Sequence, residues 1–144
     1  MNSQQVLEYN DRNMAEFRST EGKLSSFGDA PVLLLMTVGA KRGRSRTSPM
    51  MYLAGPDPDL VYVFASAAGA DTNPAWFTNL VPHAEDVGVE IGDEQLKARA
   101  EVLPETDPVR VFAVQAARYP GFAGYQEQTR RPIPVVALRL NRAT

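Results

Sequence analysis

The hydrophobic positions near the start of this chain repeat with the period of an α-helix. Val6, Met14 and Phe17 fall on one face of the segment 6–18, and Asn10 interrupts the stripe between them. The spacing predicts an N-terminal helix with one narrow apolar stripe.

Six segments further along have the pattern of β-strands. The first, 32–38, is an uninterrupted aliphatic run between Pro31 and Gly39, which is typical of a strand buried on both faces. Gly, Pro and Asp residues fill 55–59 and separate two apolar segments, which predicts an antiparallel hairpin. Alternating segments around Gly92 predict a second hairpin. The predicted strands are 32–38, 47–53, 60–65, 87–91, 95–103 and 135–140.

Two shorter helices are predicted where a capping residue precedes a proline. Asn73-Pro74 opens a helix over 74–80, with Asn73 as the cap and Pro74 as the first helical residue. Asp107-Pro108 opens a second helix, which runs to about Arg118. A helical turn or short helix is predicted within 122–129.

The order of these elements favours a closed antiparallel sheet. Hairpins join most of the strands, and closure of such a sheet removes its exposed edges. A doubly wound α/β fold would require regular alternation of strands and helices, which this chain lacks. We therefore predict a mainly β, α+β fold in a single domain over 1–144, a six-stranded antiparallel barrel with peripheral helices.

Composition restricts the chemistry further. The chain has no cysteine, which excludes disulfides, thiolate metal sites and cysteine nucleophiles and is compatible with the cytoplasmic location that we predict. The N-terminus lacks the pattern of a signal peptide, and the longest apolar run is far shorter than the ~20 residues of a spanning helix. Peripheral membrane contact through the N-terminal helix stays open.

Positive charge is concentrated in one loop. Four cations lie within 41–46, and without them the net charge falls from −2 to −6. Arginine binds phosphate or carboxylate through paired hydrogen bonds, lysine adds a point charge, and Gly43 lets the backbone come close to an oxyanion. The loop is therefore a candidate anion site. A solvated hairpin loop and a nucleic-acid patch are the alternatives.

Two other segments have the composition of a pocket lining. Small residues at 66–72 lead into the predicted helix that carries Trp76 and Asn79, and backbone N–H groups there suit a flat or anionic ligand. The second segment is broken by Pro and Gly and carries three aromatic residues at a spacing of three, Tyr119, Phe122 and Tyr125. For both segments the alternative is ordinary packing, in which Trp76 belongs to the core and the second segment is a flap over the barrel.

Catalytic side chains are scarce. The single histidine, His83, follows Pro82 in a predicted loop, and the acidic residues are not spaced as metal ligands, so no metal site is predicted. The sequence has no nucleophile motif and no Walker-type loop. If the protein is an enzyme, a bound organic cofactor must carry the chemistry.

In combination, these motifs resemble the deazaflavin (coenzyme F420)-dependent nitroreductase and quinone reductase family, whose members are split β-barrel oxidoreductases. The resemblance covers about 17–140, and its most specific part is the tryptophan-bearing helix after the cationic loop. The motifs are Lys41-x-Gly43-x-x-Arg46-Thr47-x-Pro49, Ala65-Ser66 with Gly69, Asn73-Pro74-x-Trp76-x-x-Asn79-Leu80, Tyr119-Pro120 with Tyr125-Gln126, and Ile133-Pro134-Val135-Val136.

The resemblance implies where cofactor and substrate bind. It assigns the acidic groups of F420, a phosphate and an oligoglutamate tail, to the cationic loop. The residues implied around the cofactor are Lys41, Arg42, Arg44, Arg46, Thr47, Ser48, Pro49, Met50, Met51, Ser66, Ala67, Ala68, Gly69, Ala75, Trp76 and Asn79. Those implied around the substrate are Met51, Ser66, Tyr119, Phe122 and Tyr125. Candidates for the catalytic role are Tyr119 and Tyr125, as direct donors of a proton to the product, and Ser66, as the residue that holds a proton-donating water.

The implied reaction is hydride transfer from F420H2 to a small, electron-poor organic acceptor. Four residues stand where nitroimidazole-activating members of the family carry cationic or tyrosine side chains: Ala40, Met51, Ala67 and Phe122. The pocket is therefore expected to be more apolar and to favour quinones, or conjugated enones and lactones, over nitroaromatic compounds. The alternatives are an FMN-binding split-barrel oxidoreductase and, less favoured, a small barrel that binds nucleic acid.

Overall fold

Seven strands and two helices account for most of the residues that the computed structural model describes, which are 3–20, 22–24, 30–38, 45–65, 74–103, 114–119 and 133–141. The helices are α1 (Ser3–Ser19) and α2 (Ala75–Leu80), with a 3-10 turn (Val81–His83) after α2. Residues 114–118 are also helical. The strands are β1 (Val32–Val38), β2 (Ser45–Met51), β3 (Leu53–Ala54), β4 (Leu60–Phe64), β5 (Val87–Ile91), β6 (Glu94–Val102) and β7 (Val135–Asn141).

All seven strands belong to one antiparallel sheet, in the order β2-β1-β5-β6-β7-β4-β3. β2 and β3 lie at opposite edges of this sheet, yet only Tyr52 separates them along the chain. Because one residue spans at most ~3.6 Å, the sheet must curl until its two edges come together. The predicted mainly β, antiparallel barrel with peripheral helices is confirmed.

The described residues form seven strands and not the predicted six. The segment predicted as one strand over 47–53 divides at Tyr52, whose backbone N–H donates to the carbonyl of Pro31 at 3.2 Å as the chain passes from one sheet edge to the other. β2 also begins earlier than predicted, because its pairing with β1 extends to the first residue of the strand, Ser45. Arg46 consequently belongs to a strand and not to the cationic loop.

Alternating side chains fill the barrel from the inner face of the sheet. Leu33 and Leu35 of β1 are fully buried there, and Leu80 joins them from α2, so this helix is attached directly to the barrel core. Every second residue along four more strands completes the cluster: Val61, Val63, Val87, Val89, Ala98, Ala100, Val136, Leu138 and Leu140.

Helix α1 covers the outer face of β1. Phe17 near the end of the helix is 1% exposed and packs with Leu24, Val32 and Leu34 in a second buried cluster. β1 is therefore buried on both faces, as the aliphatic run predicts. The predicted N-terminal helix is also confirmed, with a few more residues at its start.

An ion pair ties the end of α1 to β5. Nε and Nη2 of Arg18 donate to Oε1 and Oε2 of Glu90 at 3.0 and 2.7 Å. These hydrogen bonds from Arg18 hold the pKa of the Glu90 carboxyl below its usual range, against the opposing effect of partial burial. The carboxylate form of Glu90 is therefore the one that the folded state stabilises.

We expect Glu90→Gln to destabilise the protein at neutral pH and to lose this effect in acid. A carboxyl whose pKa is lowered in the folded state stabilises the fold when the pH is above its unfolded-state pKa, here about 4.5. This contribution disappears as the pH falls through the folded-state pKa. For a partly exposed pair we expect about 0.5–1 kcal/mol. Urea unfolding from about pH 7 to about pH 3 measures it. Glu101→Gln, at an exposed position of β6, is the control, and an equal pH dependence in both variants would contradict the account.

Candidate functional site

The strand that carries most of the predicted cofactor residues is an edge strand. β2 pairs with β1 on one side, and no described strand pairs with its other side. Pro49 in the middle of β2 suits this position, because proline cannot donate to a ladder of hydrogen bonds and is tolerated at sheet edges. Away from Tyr52, where the two sheet edges come together, β2 therefore has a side without a paired strand on which a ligand can approach its backbone.

The register between β1 and β2 divides the predicted residues between two faces. Residues directly opposite on antiparallel strands share a face, and successive residues alternate. Met50 is opposite Leu33, and position 48 is opposite Leu35, both of which point into the barrel. The side chains on the inner side of β2 are thus Arg46, Ser48 and Met50. Those on the outer side are Thr47, Pro49 and Met51.

The end of β2 and helix α2 both pack against the barrel core. Met50, Tyr52 and Trp76 are half-buried, and all three pack against the barrel core. Trp76 also meets Phe77 edge to face, with ring centroids 6.1 Å apart and planes at 83°. Trp76 is thus partly a core residue, as the packing alternative held, and keeps part of its surface open to a ligand.

Helix α2 begins one residue later than predicted. Pro74 precedes it in an extended conformation, with φ −64° and ψ 154°, and its carbonyl accepts a hydrogen bond from the N–H of Phe77 at 3.1 Å. Pro74 therefore lies before the helix and not within it, because its ψ is not helical. The predicted cap, Asn73, lies outside the described residues. Ala75 is the exposed first residue of α2, and Asn79 is half-buried one turn later.

The outer side brings together two residues that are predicted to contact the substrate. Met51 ends β2, and Tyr119 follows the helical residues 114–118 far along the chain. Both are half-buried and pack against the same buried cluster, which lies outside the barrel interior. That cluster consists of Leu53, Phe64 and Val135.

Of the four cations within 41–46, Arg46 is the one that the structure describes. Its side chain is exposed, and it makes no hydrogen bond or ion pair with any residue that the structure describes. An unpaired guanidinium can bind a phosphate or carboxylate without first breaking another ion pair. It lies at one end of the inner row of β2, and Met50 lies at the other. A cation at one end of the row and a half-buried apolar side chain at the other fit a flat cofactor with an acidic tail.

The remaining predicted residues lie outside the described residues, and their roles stay predictions. Residues 39–44 connect β1 to β2, and 66–73 connect β4 to α2, so both segments adjoin described parts of the site. The residues concerned are Lys41, Arg42, Arg44, Ser66, Ala67, Ala68, Gly69, Phe122 and Tyr125.

Two tyrosines beside the site were not predicted. Tyr52 joins the two sheet edges and packs against the barrel core, and burial raises the pKa of its phenol. Tyr62 packs against the outer cluster with Met51 and Tyr119. The alternation of β4 contained a signal for Tyr62, because its neighbours on either side are aliphatic and face the barrel. No signal in the sequence showed that the chain changes sheet edge at Tyr52.

Other features of the described residues point to no different chemistry. A groove of about 330 Å³ lies outside the barrel beside Met36, Gly88 and Lys97, and Thr47 is the single predicted site residue that lines it. No group of three or more His, Asp or Glu side chains in the described ranges could hold a metal ion. No helix within those ranges is long and apolar enough to cross a membrane.

Comparison with known proteins identifies the family. The chain matches the F420H(2)-dependent quinone reductase family over residues 10–139. It is 34% identical over 142 residues to an F420H(2)-dependent quinone reductase from Mycobacterium tuberculosis strain H37Rv, a match that covers 93% of this chain and 89% of the relative.

Solved structures agree with this match. An F420-H2 dependent reductase named FDR-A superimposes with a TM-score of 0.66 at 30% identity, over 76% of this chain and 94% of its own. A domain-swapped dimer superimposes with a TM-score of 0.67 at 27% identity, over 96% of this chain and 100% of its own. The predicted family is confirmed, and with it the oxidoreductase class and F420 as the cofactor of the family. The chain belongs to the F420H2-dependent quinone reductase family.

Proposed function

We propose that the protein reduces a quinone with a hydride taken from F420H2. The observation that carries this proposal is the family match over residues 10–139, which runs from the middle of α1 into β7. Reduced F420 supplies the hydride when bound. The protein's own part is to hold cofactor and acceptor in contact, to exclude water and to deliver a proton.

The cofactor side of the site is the inner side of β2 together with α2. Arg46 binds an acidic group of the cofactor, assisted by the predicted cations at 41, 42 and 44, while the ring lies toward Met50 and Trp76. The half-buried surfaces of these two residues support this arrangement, since an apolar floor excludes water from the ring. The backbone of β2 and the predicted segment 66–69 border the same ring.

The acceptor side of the site adjoins the outer cluster, which lies on the opposite side of β2 from Met50, so an acceptor that contacts the deazaflavin ring must reach it past the edge of β2. Met51 and Tyr119 both pack against Leu53, Phe64 and Val135, and the described side chains of this cluster are apolar apart from the tyrosine hydroxyls. An apolar lining of this kind suits a quinone or a conjugated enone better than a nitroimidazole, which has more polar atoms to satisfy. The predicted substrate residues Ser66, Phe122 and Tyr125 would complete the lining.

The proton that completes the reduction comes from a hydroxyl near the acceptor. Tyr119 is the candidate whose position the structure describes, and it lies in the same cluster as Met51. Tyr125 and Ser66 are the other two candidates. A tyrosine can donate a proton to the oxygen of a quinone as negative charge develops there, provided that it lies within hydrogen-bond reach.

A panel of acceptors tests the proposed function. The protein is mixed with F420H2 and, in turn, with a quinone, a conjugated enone and a nitroimidazole, and the return of the fluorescence of oxidised F420 is followed. We expect the quinone to be reduced fastest and the nitroimidazole slowest. Binding of F420 without faster oxidation of F420H2 by any quinone would contradict the proposal.

A further inference from the structure

A hydroxyl on the inner face of β1 has no hydrogen-bond partner. Thr37 is 1% exposed, and its Oγ1 contacts no donor or acceptor within the part of the chain that the structure describes. Buried polar groups in native proteins are nearly always paired, so such a hydroxyl needs an explanation. A ligand atom is one partner that would satisfy it.

The strand register places this hydroxyl beside the predicted anion site. Thr37 is directly opposite Arg46 in the β1–β2 pairing, so their side chains share a face, with Cβ atoms about 5 Å apart. The next pair, Val38 and Ser45, ends the two strands where the cationic segment 39–44 connects them. Thr37 therefore lies at the end of β1 nearest to the cations.

The other neighbour of β1 offers no partner. On that side β1 pairs with β5, which has Gly88 opposite Met36 and Val87 as the residue before it. Neither Gly88 nor Val87 has a polar side chain, and Val87 belongs to the barrel core. Of the two strands paired with β1, β2 is therefore the one that places a polar side chain, that of Arg46, opposite Thr37.

We propose that the Thr37 hydroxyl donates a hydrogen bond to the acidic group of F420 that Arg46 binds. This inference rests on the proposed function. A hydroxyl can donate to a phosphate or carboxylate oxygen, and in a position closed to water such a bond is stronger than in solvent. Thr37 is closed to solvent in this structure, so the acidic group must displace neighbouring residues to reach it. Thr37 fixes the acidic end of the cofactor and takes no part in hydride transfer.

Thr37→Val tests the inference, with Thr37→Ser as the matched control. Valine has nearly the same shape and lacks only the hydroxyl, so thermal stability without cofactor is expected to stay the same or to rise. Affinity for F420, measured by fluorescence titration, is expected to fall about tenfold in Thr37→Val and to stay within about twofold in Thr37→Ser. A deazaflavin that lacks the phosphate and the glutamate tail should bind both variants as it binds the wild type.

Each outcome separates this inference from the proposed function. If the wild-type protein and Thr37→Val bind F420 equally well, the proposed role of Thr37 is wrong and the proposed function still stands. If Thr37→Val lowers the affinity for F420 and for the truncated deazaflavin equally, the proposed role of Thr37 is also wrong, because the hydroxyl would then act through the fold or on the ring. Wild-type protein that binds no F420 overturns both.

Discussion

Replacing Arg46 by alanine is expected to weaken F420 binding by about 1.5–3 kcal/mol, the value of a hydrogen bond between charged groups. Arg46 begins the inner row of β2, and its side chain is exposed and has no hydrogen bond or ion pair with a described residue, so removal of the side chain leaves no buried partner unsatisfied. The free energy of unfolding should therefore change by less than about 0.5 kcal/mol. Fluorescence titration with F420 and urea unfolding measure the two quantities.

Arg99→Ala is the control for the change in net charge. Arg99 is an exposed arginine on β6, opposite Arg139 of β7 and away from β2 in the sheet order. Its removal should leave the affinity for F420 nearly unchanged. Equal losses in Arg46→Ala and Arg99→Ala would mean that only the overall charge matters, and no loss in either would mean that Arg46 does not bind the cofactor.

Replacing Leu80 by alanine is expected to destabilise the protein by about 2–5 kcal/mol, as for other fully buried leucines. Leu80 is 0% exposed and joins α2 to the barrel core beside Leu33 and Leu35. α2 has six residues, and a helix this short is not stable without tertiary packing. We therefore expect the loss of Leu80 to loosen the helix that positions Trp76 and Asn79, and to weaken F420 binding as well.

Val81→Ala is the matched control because Val81 is the next residue and is 53% exposed. Truncation there should cost less than about 0.5 kcal/mol. Urea unfolding of both variants gives the comparison. If Leu80→Ala were no more destabilising than Val81→Ala, α2 could not be held by the barrel core, and the arrangement of the cofactor side would have to be revised.

Local patterns predicted the elements of the fold well. Three signals are local, because each is formed by residues that are neighbours along the chain: the aliphatic run of β1, the turn residues between β3 and β4, and the alternation around Gly92. The elements that these signals predict lie at the predicted positions. The prediction of a single strand over 47–53 was wrong in one respect. Its division at Tyr52 depends on the curling of the whole sheet, which no local pattern contains.

The site was less predictable because it depends on strand register. The sequence indicated a cationic loop and a tryptophan-bearing helix, but it did not show that Met50 and Met51 point to opposite sides of β2. It also gave no reason to notice Thr37, whose interest comes from its burial and from the residue opposite it. Such relations between distant residues become visible only once the strands are paired.

The most direct test of the account uses the only tryptophan of the chain. Trp76 lies on α2 beside the proposed position of the deazaflavin ring, so ring binding should quench its fluorescence. We predict saturable quenching by F420, much weaker quenching by FMN at equal concentration, and a shift of the F420 curve to higher concentration in Arg46→Ala. Quenching by FMN at lower concentrations than F420, or no quenching by F420 at all, would contradict the account.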